Sequence, residues 1–295
     1  MFVNATLTIL SVRLDRPVDP LTVAVSREVD IVARELQLPY FVAGAMARDI
    51  VLTNVFGIET GRATRDVDFG IAFANWDQFD LVKSRLVDTG RFVASDKAVQ
   101  RVYYRIRRDD SGYPIDIIPF GGLEAPRHSI AWPSEKKVIM NVTGYPEALE
   151  TLLSVEIDQG FAVPVASLPG LALLKLFAWQ DRHNETPKDA QDLAILCRAY
   201  HAAGNHDRLY GEEIPLLEVV DFDLDLASPR LLGKDVRKIA SATTLRQASA
   251  LLSDQGRIDR LVTHMAAEFR TADDSITAAE LLLEQFRAGL TQEDR

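Results

Sequence analysis

Arg62-Ala63-Thr64-Arg65-Asp66-Val67-Asp68-Phe69-Gly70-Ile71 is the stretch on which the fold turns. Asp66 and Asp68 are separated by one apolar residue and followed by another. In an extended strand, side chains alternate between faces, so the two carboxylates share one face while Val67 and Phe69 point into a core. Two like charges side by side are costly unless positive charge sits between them. A divalent cation with carboxylate oxygens as hard ligands is the usual answer, which makes this strand a candidate metal holder.

Upstream, Phe41-Val42-Ala43-Gly44-Ala45-Met46-Ala47-Arg48-Asp49 reads as the end of a buried strand, Tyr40 to Ala43, broken by Gly44. A helix follows from Ala45 to Val55 and closes near Gly57. A glycine that ends a strand and opens a helix lets backbone N–H groups face an anion with no Cβ in the way. Arg48 falls within the first turn or so. It either reaches that anion or pairs with a nearby acid in a tight packing turn. Downstream, Tyr113-Pro114-Ile115-Asp116-Ile117-Ile118-Pro119 places one acid inside an apolar strand. A carboxylate there is costly unless it is paired, metal-bound or at an edge facing water. If this strand lies beside that of Asp66 and Asp68, three carboxylates converge, as two-metal phosphoryl chemistry requires.

The remaining pattern frames these motifs. Residues 20–37 read as an amphipathic helix with Leu21, Val25, Val29, Ile31, Val32 and Leu36 as its apolar set, ended by Pro39. The aspartate strand is predicted over Thr64 to Phe73, and a helix over Trp76 to Val87 with Asn75 as N-cap. Phe92 to Ala94, Gln100 to Arg107 and Tyr113 to Pro119 read as strands, the last two joined as a hairpin through Asp109-Asp110-Ser111-Gly112. Lys137 to Val142, Leu153 to Ile157 and Phe161 to Val165 add further strands, with Asp158-Gln159-Gly160 turning the last pair. Beyond Ser167 strand signals vanish and helical patterns dominate 168–201 and 230–290. The layout is a mixed α/β domain over 1–166 and a helical domain over 167–295.

Composition narrows the classes. The chain has 295 residues, 47% apolar and 26% charged, ordinary for a globular protein with a sizeable core. Its single cysteine, Cys197, rules out an intramolecular disulfide framework and fits a reducing compartment; an apolar helical setting makes it a buried structural thiol. No apolar run is long enough to span a bilayer. Met1 to Val12 lacks a basic leader and a small-residue cleavage site, so a cytoplasmic location is expected. A net charge of −10 argues against nucleic-acid binding over the whole surface but allows a local basic channel. Arg101, Arg105, Arg107 and Arg108 form one basic patch, which taken alone reads as a solvated edge strand. Asp221-Phe222-Asp223-Leu224-Asp225-Leu226 alternates acids with apolar residues but lacks the glycine and terminal Glu of a calcium loop, and reads as a connector. The histidines show no zinc-ligand spacing with cysteine.

The helical half carries two more motifs. Leu173-Leu174-Lys175-Leu176-Phe177-Ala178-Trp179-Gln180-Asp181-Arg182 is followed by Lys188-Asp189-Ala190-Gln191-Asp192-Leu193. Lys175 is the lone cation of a helix apolar nearly all round, so it must snorkel or meet an anion. Thr186 and Pro187 mark a helix start, where Asp189 could serve only a capping box. A salt bridge to Arg182 is the plain explanation for Asp192.

A small-residue helix turn, then DxD, then a single Asp on a later strand resembles the nucleotidyltransferase superfamily of the DNA polymerase β type. The K…R…KDxxDL pattern resembles AbiEii/AbiGii-type toxin nucleotidyltransferases. Together the match runs over about residues 38–200, and its motifs are specific by order and spacing rather than length. The resemblance implies a polymerase-β-like mixed sheet with flanking helices, packed on a C-terminal helical domain with the nucleotide in the cleft between them. It implies that Gly44 and Ala45, with Arg48, contact nucleotide phosphates, and that Asp66, Asp68 and Asp116 bind Mg²⁺ or Mn²⁺ as the catalytic carboxylates. Asp116 would also help deprotonate the attacking hydroxyl. Lys175, Arg182 and Lys188 would gather triphosphate or acceptor, oriented by Asp189 and Asp192. Ala45 departs from the superfamily's frequent Ser, at a loss of one hydrogen bond worth about 1 kcal/mol.

The expected reaction is transfer of an NMP from an NTP to an acceptor hydroxyl, with RNA, at the tRNA 3′ end, as acceptor. The setting would be a toxin–antitoxin or phage-defence system with a cognate antitoxin protein. Two rivals stand beside it. One is a nucleotidyltransferase acting on a protein or an aminoglycoside-like small molecule, which the net acidity suits. The other is a non-catalytic nucleotide-binding module, which Ala45 suits.

Overall fold

The computed structural model describes residues 9–61, 64–107, 111–124, 128–133, 139–269 and 274–292. Arg62 and Ala63 of the aspartate stretch, Arg108 of the basic patch, Asp109 and Asp110 of the hairpin turn, Lys137 and Val138, and the first eight residues lie outside that range. The chain divides into one unit ending at Ser167 and another beginning at Leu168.

Strands β1 (Ile9–Ser11), β2 (Tyr40–Ala43), β3 (Val67–Phe73), β4 (Phe92–Ala94), β5 (Arg101–Tyr104), β6 (Tyr113–Gly121), β7 (Ser129–Ala131), β8 (Ile139–Asn141), β9 (Leu153–Asp158) and β10 (Phe161–Val165) build the first unit. Its helices are α1 (Pro20–Glu35), α2 (Gly44–Asp49), α3 (Trp76–Asp88) and α4 (Tyr145–Glu150). Eight strands form one sheet in the order β1-β9-β10-β2-β3-β6-β5-β4, and β7 pairs with β8 alone. The sheet is mixed: β2 runs antiparallel to β3, β3 parallel to β6, and β6 antiparallel to β5. The three strands that carry the sequence motifs therefore lie side by side.

Local chemistry sets these elements. Asp19 caps α1 by accepting from the Leu21 and Thr22 amides at 2.9 and 3.3 Å, with Pro20 in the first turn. Val25, Val29 and Val32 face inward, but Ile31 is exposed, because it falls outside the stripe that those three define. The aspartate strand starts at Val67, three residues later than predicted, with Val67, Phe69 and Ile71 buried. Asn75 caps α3 through the Gln78 amide, as the sequence indicates. Helix α2 continues as a π-helical segment over Ile50–Val55.

The second unit is helical: α5 (Leu168–Arg182), α6 (Lys188–Ala199), α7 (His206–Leu209), α8 (Ile214–Glu218), α9 (Leu224–Ile239), α10 (Ala242–Leu251), α11 (Gln255–Ala266) and α12 (Ser275–Thr291). Helices α5 and α6 pack on each other, as do α9 and α12. Cys197 is buried on α6, and burial pushes its thiol well above the usual range, as befits a structural residue. Asp223 caps α9 by accepting from the Asp225 and Leu226 amides, so the acidic connector has a structural task. Among the described residues no helix is long and apolar enough to cross a membrane.

Candidate active site

One row of residues crosses four adjacent strands. Ala43 on β2 is the register partner of Asp68 on β3, Asp68 that of Asp116 on β6, and Asp116 that of Arg101 on β5. Partners in register project to the same side of a sheet, so Asp68 and Asp116 stand next to each other. Val67 and Phe69 fill the opposite side, which leaves Asp68 half-buried.

Gly44 closes the row from above. Its φ is +67°, and a Cβ built there would stand 1.9 Å from Oδ2 of Asp68 and 2.9 Å from its Cγ. Only glycine tolerates both the backbone conformation and the approach of that carboxylate. The turn that the sequence marks as phosphate-competent thus lies directly against one of the paired aspartates.

Asp116 is 9% exposed, and Arg101 grips it with a fork: Nε donates to Oδ1 at 2.8 Å and Nη2 to Oδ2 at 2.6 Å. That hydrogen bonding raises the Arg101 guanidinium further above its ordinary range, so the cation is permanent. Asp66 precedes β3, and its Oδ1 accepts from the Thr64 hydroxyl at 2.7 Å. It also lies near Tyr113, whose hydroxyl is raised by burial first, and then by the charges of Asp19 and Asp66. Among the described residues no three His, Cys, Asp or Glu side chains are grouped so as to hold a metal ion as they stand. Of the three expected carboxylates, strand pairing brings Asp68 and Asp116 side by side, while Asp66 precedes β3; Thr64 bonds Asp66 and Arg101 bonds Asp116. The residues nonetheless fit a divalent cation: the donors are all hard oxygens, two are register partners, and the space that a Cβ at Gly44 would fill belongs to the Asp68 carboxylate.

Arg48 takes the second of its two sequence readings. It is 1% exposed and forks onto Asp49 at 2.8 and 2.7 Å, and Thr60 also donates to Asp49. A side chain so enclosed anchors α2 rather than reaching into solvent. Ala45, the next residue after Gly44, is half-buried.

The second unit holds a separate charged network. Lys175 on α5 lies 3.2 Å from Asp189 and 2.6 Å from Asp192, both on α6. Arg182 forks onto Asp189 at 2.6 and 2.8 Å. Lys175 therefore meets anions rather than snorkelling, and it is a partner of Asp192 as well as of Asp189. Burial alone would raise the Asp189 carboxyl, but Arg182 and Lys175 outweigh it and hold that group below the usual range. Lys175 is buried, whereas the Arg182 side chain is 51% exposed and Lys188 is exposed at the start of α6. Of the three cations expected at phosphate, Lys175 is turned inward because both acids are buried beside it. Thr186 contributes to the α6 start by accepting from the Lys188 amide at 3.3 Å, and Asp189 is engaged with cations.

Arg101 is the functional candidate that the sequence reading placed on a solvated edge. Its signal is the hairpin register, which depends on the length of the β5–β6 connection.

The chain thus carries a glycine turn against a sheet carboxylate in its first unit and a K…R…KDxxD network in its second. The family model described as "Nucleotidyl transferase AbiEii toxin, Type IV TA system" matches residues 30–275. The chain belongs to the AbiEii nucleotidyltransferase toxin family. Three solved structures are similar to it. An antigenic nucleotidyltransferase-like protein from Paracoccidioides brasiliensis is 16% identical, with TM-score 0.40, over 70% of this chain and 93% of that one. ANT(2″)-Ia in complex with adenylyl-2″-tobramycin is 14% identical, with TM-score 0.36, over 68% and 96%. The Thermotoga maritima CCA-adding enzyme complexed with tRNA is 13% identical, with TM-score 0.28, over 92% and 82%. None of the curated proteins compared with the chain matches it in sequence.

Proposed function

We propose that this nucleotidyltransferase moves an NMP from an NTP to the 3′-terminal hydroxyl of tRNA, in a reaction that depends on Mg²⁺ or Mn²⁺. It would act in the cytoplasm as a toxin restrained by a cognate antitoxin protein. The observation that carries the catalytic reading is that Asp68 and Asp116 are register partners, with Gly44 directly against Asp68. Membership of a type IV toxin family supports the antitoxin partner.

Asp68 and Asp116, with Asp66 two residues before Asp68, would hold the cation. When bound, it would neutralise charge developing on the phosphoryl oxygens. The turn at Gly44 and Ala45 would present backbone N–H groups to the nucleotide phosphates, with no side chain at Gly44 to keep them apart. The Asp116 carboxylate is the acceptor for the proton leaving the attacking hydroxyl, which restores a neutral product oxygen as pyrophosphate departs. Arg182 and Lys188, both exposed on the second unit, would contact triphosphate or acceptor phosphate. Lys175 with Asp189 and Asp192 would fix Arg182. Net acidity confines RNA contact to local basic surface; Arg105 and Arg107, just past β5, are the residues to test.

The test is NTP-dependent labelling of total RNA with Mg²⁺. Asp66→Ala and Asp68→Ala, checked for folding by circular dichroism, should abolish it. Unchanged labelling refutes the carboxylate assignment. Parallel reactions with protein and aminoglycoside acceptors test the RNA assignment, which falls if either is labelled while RNA is not.

A further inference from the structure

Asp116 sits between opposite charges. On one side its register partner is Asp68, and on the other Arg101, so an acid–acid–base row is fixed by the backbone pairing of three strands. Arg101 occupies both Asp116 oxygens. It does so from a side chain that is 31% exposed, so the guanidinium has a path outward. A cation already present in the row makes adjacent carboxylates tolerable, and it also opposes entry of another.

We infer that Arg101 is a positioning residue that makes metal binding depend on nucleotide. This rests on the reading of Asp68 and Asp116 as metal carboxylates. Before substrate arrives, the guanidinium holds Asp116 and repels a divalent ion. A triphosphate brings several negative charges to the row. These draw Arg101 off Asp116 towards phosphate, a partner that suits its planar fork, and free both oxygens. Metal and nucleotide then enter as a pair, and bare metal binds weakly.

The test titrates Mn²⁺ into the full chain, followed by calorimetry and by the electron paramagnetic resonance of free Mn²⁺, with and without a non-hydrolysable NTP analogue. A unit charge within about 4–6 Å changes a carboxylate's proton affinity by roughly ten- to a thousandfold, and a divalent ion feels the same field, so at least about a tenfold effect is expected. Wild-type protein should bind Mn²⁺ at least about tenfold more tightly with the analogue. Arg101→Gln should bind Mn²⁺ alone at least about tenfold more tightly than wild type and gain little from the analogue. Arg101→Lys, which keeps charge but loses the fork, should fall between them. If Arg101→Gln does not fold, absence of any tightening in Arg101→Lys overturns the inference.

A purely structural bridge would lower the melting temperature of Arg101→Gln without tightening Mn²⁺. Equal Mn²⁺ affinities for wild type and Arg101→Gln overturn the inference while metal binding stands. Mn²⁺ bound by neither protein, with or without analogue, removes the metal reading and this inference with it.

Discussion

Gly44→Ala tests the centre of the site. The substitution forces a side chain onto a residue at φ +67° and sets its Cβ 1.9 Å from Oδ2 of Asp68. The backbone part costs about 1–2 kcal/mol. Alanine also narrows the unfolded ensemble, which returns about 0.4–1 kcal/mol. Both effects recur at Gly160, which has the same φ of +67° but would set its new Cβ in open space, with nothing within 4 Å. The difference between Gly44→Ala and Gly160→Ala therefore isolates displacement of Asp68. The carboxylate is the far end of its side chain, so it rotates, at about 0.5–1.5 kcal/mol for leaving its rotamer well. For a unit of this size that difference is roughly 1–6 °C in melting temperature. Melting both variants beside wild type, and assaying NTP-dependent labelling, gives two readouts. Gly160→Ala should keep full labelling, and Gly44→Ala should lose most of it, because Asp68 no longer stands beside Asp116. The reasoning is refuted if Gly44→Ala melts with Gly160→Ala, or if it labels as wild type does.

Two further substitutions probe the helical unit. Asp189→Asn leaves Lys175 and Arg182 facing a neutral amide; breaking a buried pair costs about 3–5 kcal/mol, and the half-exposed Arg182 favours the lower end, read as a fall in the urea midpoint. Because Asp189 titrates below its ordinary range when folded, it stabilises the protein above the unfolded carboxyl pKa of about 3.9, and that contribution is lost as pH falls below it; wild type should therefore destabilise more steeply there than Asp189→Asn. Gly289→Ala places a Cβ 1.9 Å from the Arg230 carbonyl oxygen and 2.8 Å from the Lys234 nitrogen, so α9 and α12 must separate, at about 1–3 kcal/mol in thermal or urea melts.

The parts of this fold that were legible in sequence are those set by local rules. Strand alternation at Val67-Asp68-Phe69, the cap at Asn75 and the strand–glycine–helix turn at Gly44 all appear where short-range chemistry puts them. Membership of the AbiEii family was legible too, through motif order. Arg101 was not, because its role depends on the β5–β6 register. A tight turn at Asp109-Asp110-Ser111-Gly112 would set Arg105 opposite Asp116. The actual connection runs from Arg105 to Gly112, which sets Arg101 there instead. Arg48 is a different case: sequence places it in the right helix but cannot tell which way a long side chain folds, and it forks onto the neighbouring Asp49.

The two charged clusters differ in how their geometry is encoded, and this bears on what each can do. Lys175 and Arg182 are two helical turns apart on α5, and Asp189 and Asp192 are one turn apart on α6, so each pair shares a face. Packing α5 on α6 then brings opposite charges together without further instruction. Such a network holds Arg182 out towards solvent and keeps Lys175 inward. The sheet row is the reverse case. Asp68 and Asp116 have the same charge, and they are neighbours only because β3 pairs with β6 in one register. A one-residue slip would turn every side chain of β3 to the other face and bury Asp68 while exposing Phe69. The hydrophobic face of β3 therefore enforces the carboxylate pair. An arrangement kept in place by the core against its own electrostatic repulsion is the one suited to receive a cation, and the buried helical network is suited to aim a guanidinium.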